Sequence, residues 1–219
     1  MDVHTGSDWI VRHNMFRNIR APQGQLAGPA ILMWNGTTNT IVDGNTFLDC
    51  QREISLGLVE RTPNDHTSGI VRNNFIDRRP GPTGDAAILV ADSPNTQVLH
   101  NSILISGTYS NAIEFRFPNA SAVLVANNVT DAAIIARDGA TGSVTGNFTT
   151  ASAALFVDPA AGDLHLRSTA AVLRDQIATP IPAAGPDWDG QIRPAGATDI
   201  GADEYVALGP PRNLRIVVP

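Results

Sequence analysis

A short asparagine-centred pattern recurs six times between residues 9 and 148 of this chain. Most copies contain a pair of β-branched or aliphatic residues, two largely polar residues, an asparagine and then an apolar residue. The recurring asparagines are Asn14, Asn45, Asn74, Asn101, Asn128 and Asn147, separated by 31, 29, 27, 27 and 19 residues. A repeat of roughly 20 to 30 residues that varies in length through insertions predicts a solenoid.

Asparagine suits such a repeat for two reasons. It tolerates the left-handed backbone region that a tight bend requires. When copies stack on one another, the amide of one asparagine can also hydrogen-bond to the amide of the next. We therefore predict a left-handed turn at each asparagine and an amide ladder along the solenoid.

A second strand precedes each asparagine, and its apolar residues align in two columns. Because side chains alternate across a strand, these two columns share one face, which we predict to be the inside of the solenoid. The inner columns are Ile31, Ile54, Ile88, Ile113 and Ile134, and Met33, Leu56, Val90, Phe115 and Ala136. The intervening positions are predicted to form the outer surface of the sheet, and they are occupied by Leu32, Trp34, Glu53, Ser55, Leu89, Glu114, Arg116 and Arg137.

Composition narrows the choice of fold and partner. Charged residues are only 16% of the chain, and 19 glycines and 15 prolines favour strands and turns over helices. The net charge is -6 and no lysine is present, so the sequence gives no electrostatic reason to expect nucleic-acid binding. With Cys50 as the single cysteine, no internal disulfide can form, and no apolar run is long enough to predict a membrane span.

The repeat ends after Asn147, and the remaining sequence differs in character. We predict solenoid coils over residues 1–157, a capping region over 158–206 and a tail over 207–219. Within the cap, Ser168 is expected to start a helix over residues 169–176. Trp188, Ile200 and Tyr205 are expected to cover the last apolar layer of the solenoid.

Two resemblances follow from these motifs. The repeats resemble the pectin-lyase-like superfamily, and the segments beginning at Asp163, Asp187, Arg193 and Asp199 resemble the C-terminal cap of bacterial secreted β-helix proteins. The resemblance implies an all-β, right-handed parallel β-helix of about five to six coils with a C-terminal cap, located outside a bacterial cell or on its surface. The polar N-terminus is not a signal peptide, so an upstream part is expected. Residues 210–216 weakly resemble the start of a fibronectin type III module, and a plain tail is the alternative.

Members of this superfamily usually act on polysaccharides, on the outer face of one sheet and between loop insertions. Insertions of this kind occupy residues 20–29, 59–68 and 78–85. Lyase chemistry needs a cation for the substrate carboxylate, a base and an acid, whereas hydrolases need paired carboxylates. The predicted catalytic residues are Glu53, Glu114, Arg116 and His66, and the predicted substrate-binding residues are Trp34, Arg52, Asp65 and Arg137. No residue is assigned to a metal, although Ca²⁺ stays open as a cofactor.

Each candidate also has a structural interpretation. Glu114 and Arg116 could form exposed ion pairs, Trp34 could pack under an insertion, and His66 could be a turn residue. The Lys and Arg pair typical of alginate and chondroitin lyases in this superfamily cannot lie within these residues, because they include no lysine. Either arginine serves as the base, as in pectate-lyase-like enzymes, or the site lies in upstream coils, or there is no lyase activity. The predicted function is therefore binding of an acidic polysaccharide, with cleavage open. The alternatives are a non-catalytic glycan-binding or adhesion scaffold, and a structural fragment of a longer solenoid.

Overall fold

A computed structural model describes residues 1–22, 24–81 and 83–207. In these ranges the chain is all-β, a parallel β-solenoid of about five turns with three sheet faces. The first face contains β1 (Asp2–Ser7), the start of β4 (Ile31–Asp43), β6 (Ile54–Leu56), β9 (Ile88–Ala91), β12 (Asn111–Arg116) and β15 (Ala133–Arg137). The second contains β2 (Ile10–Arg12), the end of β4, β7 (His66–Arg72), β10 (Thr96–Leu99), β13 (Val123–Ala126) and β16 (Gly142–Thr145). The third contains β3 (Met15–Arg17), β5 (Thr46–Leu48), β8 (Phe75–Asp77), β11 (Ser102–Leu104) and β14 (Val129–Thr130).

The predicted inner columns are confirmed by the strand register on the first face. The five isoleucines from Ile31 to Ile134 pair in sequence from one turn to the next, as does the column from Met33 to Ala136. A column of valines lines the second face and a mixed column containing Phe47 and Ile76 lines the third, and both belong to the same buried cluster. Parallel strands in register therefore stack apolar residue on apolar residue, and this builds one continuous apolar core.

The amide ladder is also confirmed. The Nδ2 of each asparagine donates to the Oδ1 of the next, from Asn14 through Asn147, at distances of 2.9 to 3.1 Å. The same Oδ1 atoms accept the backbone N–H of the preceding asparagine at 2.8 to 3.1 Å. Because the inner ladder residues are fully buried, these bonds satisfy polar groups that water cannot reach.

The predicted backbone role of the ladder asparagine is wrong by one position. The left-handed conformation belongs to the preceding residue, which is His13, Gly44, Asn73, His100, Asn127 or Gly146. The ladder asparagine leaves the left-handed region so that its side chain points along the solenoid axis. The bend therefore depends on the position before the ladder asparagine, which is occupied by glycine, asparagine or histidine.

The C-terminal segment, residues 151–207, packs beside the solenoid. Phe75, Leu104 and Val129 project outward from three consecutive strands of the third face and share a buried cluster with Phe156 and Leu173. The segment contains β17 (Phe156–Asp158), which pairs antiparallel with β18 (Asp163–Leu166), and the short 3-10 helices Ala153–Leu155, Pro159–Ala161 and Pro182–Ala184. No described part of the chain forms a helix with the length and apolar character needed to cross a membrane.

Two predictions for this segment are wrong. Trp188, Ile200 and Tyr205 pack in the cluster beside the third face, and the inward-facing Val144 of the last turn stays 48% exposed. The expected helix over residues 169–176 is a series of turns, in which the N–H of Leu173 bonds to the carbonyl of Ala170. These turns bury both Ala170 and Leu173. A helix of only two turns would have little stability of its own. The tail and its fibronectin-like motif lie almost wholly outside the described residues.

One glycine fixes how closely this segment approaches the solenoid. Gly201 has φ +104, and a Cβ there would lie 2.8 Å from Ser102 Oγ and 3.0 Å from a methyl group of Val129. Its carbonyl lies 3.2 Å from Nδ1 of the buried His100. A side chain at this position would push the segment away from the third face, so glycine is required.

Candidate functional site

Asp65, predicted to bind substrate, is fully buried at the bend before β7. Its carboxylate accepts the backbone N–H groups of Asn35 at 2.7 Å and Leu58 at 2.7 Å, and Nε of Arg61 at 2.7 Å. These bonds close the insertion that follows Gly57 back onto the solenoid. The local role of Asp65 is therefore to organise a loop that carries little other packing.

His66, predicted to be catalytic, lies next to Asp65 and is also fully buried. Its Nδ1 is 2.7 Å from Ser93 Oγ and its Nε2 is 3.1 Å from Thr40 Oγ1. Burial lowers the pKa of His66 to about 4, although the charge of Asp65 acts in the opposite direction. The imidazole is neutral at ordinary pH, and both ring nitrogens are occupied by hydroxyl groups of the chain.

This burial predicts that His66 makes the fold sensitive to acid. The unfolded chain binds a proton at His66 below its ordinary pKa of 6.5, whereas the folded chain does not until the pH approaches about 4. Stability is therefore lost as the pH falls through this window, by about 2 kcal/mol from His66 between neutral pH and roughly pH 5. Urea unfolding of the wild type and of His66→Gln at both pH values measures this loss.

The glutamine variant is expected to lose less stability on acidification, while the exposed-site control His4→Gln keeps the wild-type pH dependence. The buried His100, whose pKa burial lowers to about 3, adds a separate loss that all three proteins share. If His66→Gln and the wild type lose the same free energy, the assignment of a buried neutral His66 is wrong.

Trp34 is the aromatic residue predicted to stack on a sugar, and it is partly exposed. Its Nε1 donates to Asp2 at 2.8 Å, the ring of His4 meets it edge-on, and the Arg61 guanidinium lies 5.4 Å from its ring centroid. A shallow cavity of about 530 Å³ lies beside it, lined by residues 35–36 and 60–64. The indole is thus already flanked by groups of the chain.

Glu114 and Arg137 are brought together by neighbouring turns. Glu114 is 1% exposed, and both of its carboxylate oxygens lie 3.1 Å from Nη1 of Arg137. Tyr109 and Asn111 donate to the same carboxylate at 3.2 and 2.6 Å. Arg116 turns away and pairs with Asp138 at 2.8 Å. The chain itself thus supplies four hydrogen-bonding contacts to the carboxylate of Glu114.

Glu53 forms a separate buried group. It is fully buried and makes a two-pronged ion pair with Arg78, whose Nε lies 2.8 Å from Oε1. Burial raises the pKa of Glu53, against the opposing effect of the Arg78 charge. The neighbouring Arg52 pairs with Asp85 through Nε at 2.9 Å. The predicted site residues thus fall into separate groups, each neutralised locally.

The prediction of an open outer surface on the first face is wrong in its central part. Leu32, Ser55, Glu53 and Glu114 are all at least 94% buried, although each occupies an outward column. Insertions fold back over this face, as shown by the residues that enclose one small void there: Pro29, Arg52, Ile54, Ser55, Leu58, Asp85, Ala86 and Leu89. The strand pattern identifies which side chains leave the core, but it does not reveal what later covers them.

A larger cavity of about 810 Å³ lies between the insertions at residues 20–29 and 78–85. The sequence predicted that such insertions would wall a groove, and residues of both line this space, among them Arg20, Gln25, Gln51 and Thr83. The Gln51 side chain fixes its floor by accepting the N–H groups of Ala21 and Ala27 and donating to the carbonyl groups of Gln25 and Thr83.

Two arginines that sequence reasoning did not select meet at Asp49, and one of them, Arg20, lines this cavity. Arg20 Nη2 lies 3.3 Å from Asp49 Oδ1, and Arg79 Nε lies 2.6 Å from Asp49 Oδ2. Burial acts to raise the pKa of Asp49, but the hydrogen bonds and charge of Arg79, with help from Arg20, hold that pKa below its ordinary value. One buried carboxylate therefore neutralises only one of the two guanidinium groups. The sequence did contain one signal for Arg20 and Arg79, because each lies at the start of an insertion and the two insertions align along the repeat.

A second carboxyl group nearby, that of Asp77, cancels only part of this charge. Burial, together with the charges of Asp49 and Asp131, raises the pKa of Asp77 to about 7. A large part of Asp77 is therefore protonated near neutral pH. The Arg79 side chain, in contrast, is 57% exposed and can reach a bound molecule.

Comparisons with protein-family models, with curated proteins and with solved structures found no match for this chain.

Proposed function

We propose that this chain is a non-catalytic domain that binds an acidic polysaccharide in the cavity between its two insertions. The observation that carries the proposal is the pair of guanidinium groups, Arg20 and Arg79, on the single buried carboxylate of Asp49. An excess positive charge at the wall of a cavity favours an anionic ligand, and arginine binds carboxylate and sulfate groups through paired N–H donors.

The size of the cavity supports a glycan. A space of about 810 Å³ that is open to solvent can hold a few sugar units, and its lining offers amide, hydroxyl and backbone groups for sugar hydroxyls. Uronate or sulfate groups on those sugars would face Arg20 in the lining, and the exposed Arg79 lies next to it on the same carboxylate of Asp49. This proposal retains the ligand class expected from the sequence and moves the binding site to the opposite edge of the first face.

Binding is favoured over cleavage because the predicted catalytic residues are separated and occupied. Glu53 and Glu114 are each paired with an arginine, and His66 is a buried neutral imidazole. General acid–base catalysis needs such groups to reach a bound substrate. In this structure none of the three carries an accessible, free acid or base.

The proposal also includes the handedness of the coil, the superfamily and the location that the resemblance implies. A right-handed coil is supported by the strong preference for right-handed crossovers between parallel strands. Membership of the pectin-lyase-like superfamily is supported by the repeats, and a place outside a bacterial cell by the C-terminal segments that resemble the cap of secreted β-helix proteins.

Isothermal titration with polygalacturonate, alginate and chondroitin sulfate tests the proposal, with dextran as the uncharged control. At least one acidic polymer is expected to bind, with affinity that falls as salt is added. Arg79→Gln removes an exposed charge and leaves Arg20 on Asp49, so we expect affinity to fall about tenfold or more. Arg12→Gln, at an exposed arginine on the second face, is the matched control and is expected to bind as the wild type does.

Failure to bind any acidic polymer, or equal losses in the two variants, would contradict the proposed site. The same incubations are followed for unsaturated uronate absorbance and for new reducing ends. Turnover of any polymer would show that the domain is catalytic and would overturn the non-catalytic assignment.

A further inference from the structure

His165, Asp189 and Asp203 converge from three parts of the C-terminal segment. Each offers one ligand atom, and these atoms lie within 4.8 Å of one another. His165 lies on β18, Asp189 lies in the turn after Trp188, and Asp203 follows the close-packed Gly201. None of them lines the cavity between the insertions, so they play no part in the proposed glycan site.

The ring of His165 is held in one orientation. Its Nδ1 is 2.6 Å from Asp163 Oδ1, and the rings of Phe75 and Trp188 meet it edge-on with centroids 5.1 and 5.2 Å away. When Nδ1–H donates to Asp163, the lone pair of Nε2 points outward. A carboxylate behind a histidine is the usual arrangement that orients a metal-binding imidazole.

The environment of Nε2 calls for a cation. This nitrogen lies 3.1 Å from Asp189 Oδ2, so without a positive charge between them two electron-rich atoms would face each other. Either a proton or a metal ion can fill that role. A proton joins the two atoms alone, whereas a metal ion would also use the third carboxylate.

Asp203 provides an independent observation that favours the metal ion. It is only 4% exposed, and among the described residues its carboxylate receives a single hydrogen bond, from the N–H of Leu166 to Oδ2 at 2.7 Å. The other oxygen has no donor there. A carboxylate in so buried a residue is stabilised by a cation close by, and the oxygen without a donor is free to bind one.

We propose that His165, Asp189 and Asp203 bind a divalent transition-metal ion of the Zn²⁺ type, with Asp163 as the residue that orients the imidazole. One nitrogen and two oxygen ligands suit Zn²⁺ better than Ca²⁺, which prefers oxygen ligands in larger number. Water would complete the coordination from the solvent side, where a cavity of about 390 Å³ is lined by Asp189 and Trp188. The ion would join β18, the turn at Asp189 and the chain around Asp203 into one unit.

The full chain is stripped with a chelator, and binding of Zn²⁺ and of Ca²⁺ is then measured by titration and by metal analysis. We expect one Zn²⁺ per chain, weaker binding of Ca²⁺ and a higher melting temperature with Zn²⁺. Asp189→Asn changes an exposed residue and should fold normally, and Asp203→Asn keeps an acceptor for the N–H of Leu166. Each variant is expected to lose about tenfold or more in Zn²⁺ affinity and most of the rise in melting temperature.

His4→Gln is the matched control, because His4 and Asp2 form an exposed pair of the same kind with a separation of 3.4 Å. It is expected to bind Zn²⁺ as tightly as the wild type. If the wild type takes up no stoichiometric Zn²⁺, or if Asp189→Asn binds it unchanged, the proposal is wrong and His165 is held by a proton alone.

Discussion

Replacing Asn74 with alanine is expected to destabilise the fold by roughly 3 to 5 kcal/mol. The fully buried Asn74 donates to the carbonyl groups of Val42 and Arg72 at 3.0 and 2.8 Å and to Asn101 at 2.9 Å. Its Oδ1 accepts both the backbone N–H and the Nδ2 of Asn45 at 3.0 Å. Alanine would leave the backbone N–H of Asn45 without its partner and remove one hydrogen bond from each of the other groups, away from water.

The end of the same ladder supplies the matched control. Asn14 is exposed, and no ladder residue of the chain precedes it, so its own Oδ1 has nothing from the ladder to accept. Asn14→Ala should therefore cost less than about 1 kcal/mol, because water replaces the lost partners. Urea unfolding followed by circular dichroism measures both variants. Equal losses at the two positions would show that the ladder does not stabilise the buried turns as described.

Replacing Arg78 with methionine is expected to cost about 3 to 5 kcal/mol, because it leaves the carboxylate of Glu53 buried without a partner. Both side chains are almost fully buried, at 3% and 0% exposure. At neutral pH the variant must either keep an unpaired charge or take up a proton. Its stability should therefore rise as the pH is lowered toward the point where Glu53 protonates in the unfolded chain as well.

The double variant Glu53→Gln with Arg78→Met distinguishes an ion pair from simple packing. Once the charge is removed, most of the lost stability should return, so that the double variant is more stable than Arg78→Met alone. Strictly additive losses would contradict the pairing. The result also bears on Glu53 as a predicted catalytic residue, because a carboxylate whose main effect is on folding is a poor candidate for an acid or base.

The sequence predicted the parts of the fold that follow a short period. The isoleucine column, the mixed column and the asparagine ladder all repeat from turn to turn, so alignment of the repeats is enough to find them. The left-handed position was misplaced by one residue because the residues that precede the ladder are His, Gly and Asn, and share no single identity.

The covering of the first face could not be predicted in the same way. Whether the insertion at 78–85 folds over Glu53 or away from it depends on long-range contacts of Arg78, and no periodic pattern reports those contacts. The pair at Asp49 was missed for a related reason, since Arg20 and Arg79 come from different turns. The cluster at His165 joins residues 14 to 38 positions apart, and only the folded C-terminal segment brings them together.

The position of the C-terminal segment also affects how the solenoid unfolds. In a bare solenoid each turn contacts only its neighbours, so the end turns can fray one at a time. Here the C-terminal segment lies against Phe75, Leu104 and Val129 on successive turns, and its Arg193 donates to Asn73, which is 120 residues earlier in the chain. Unfolding of one turn removes contacts from this segment and so weakens its packing on the other turns. The segment should therefore make unfolding more nearly all-or-none, and its distant contacts should make folding slow.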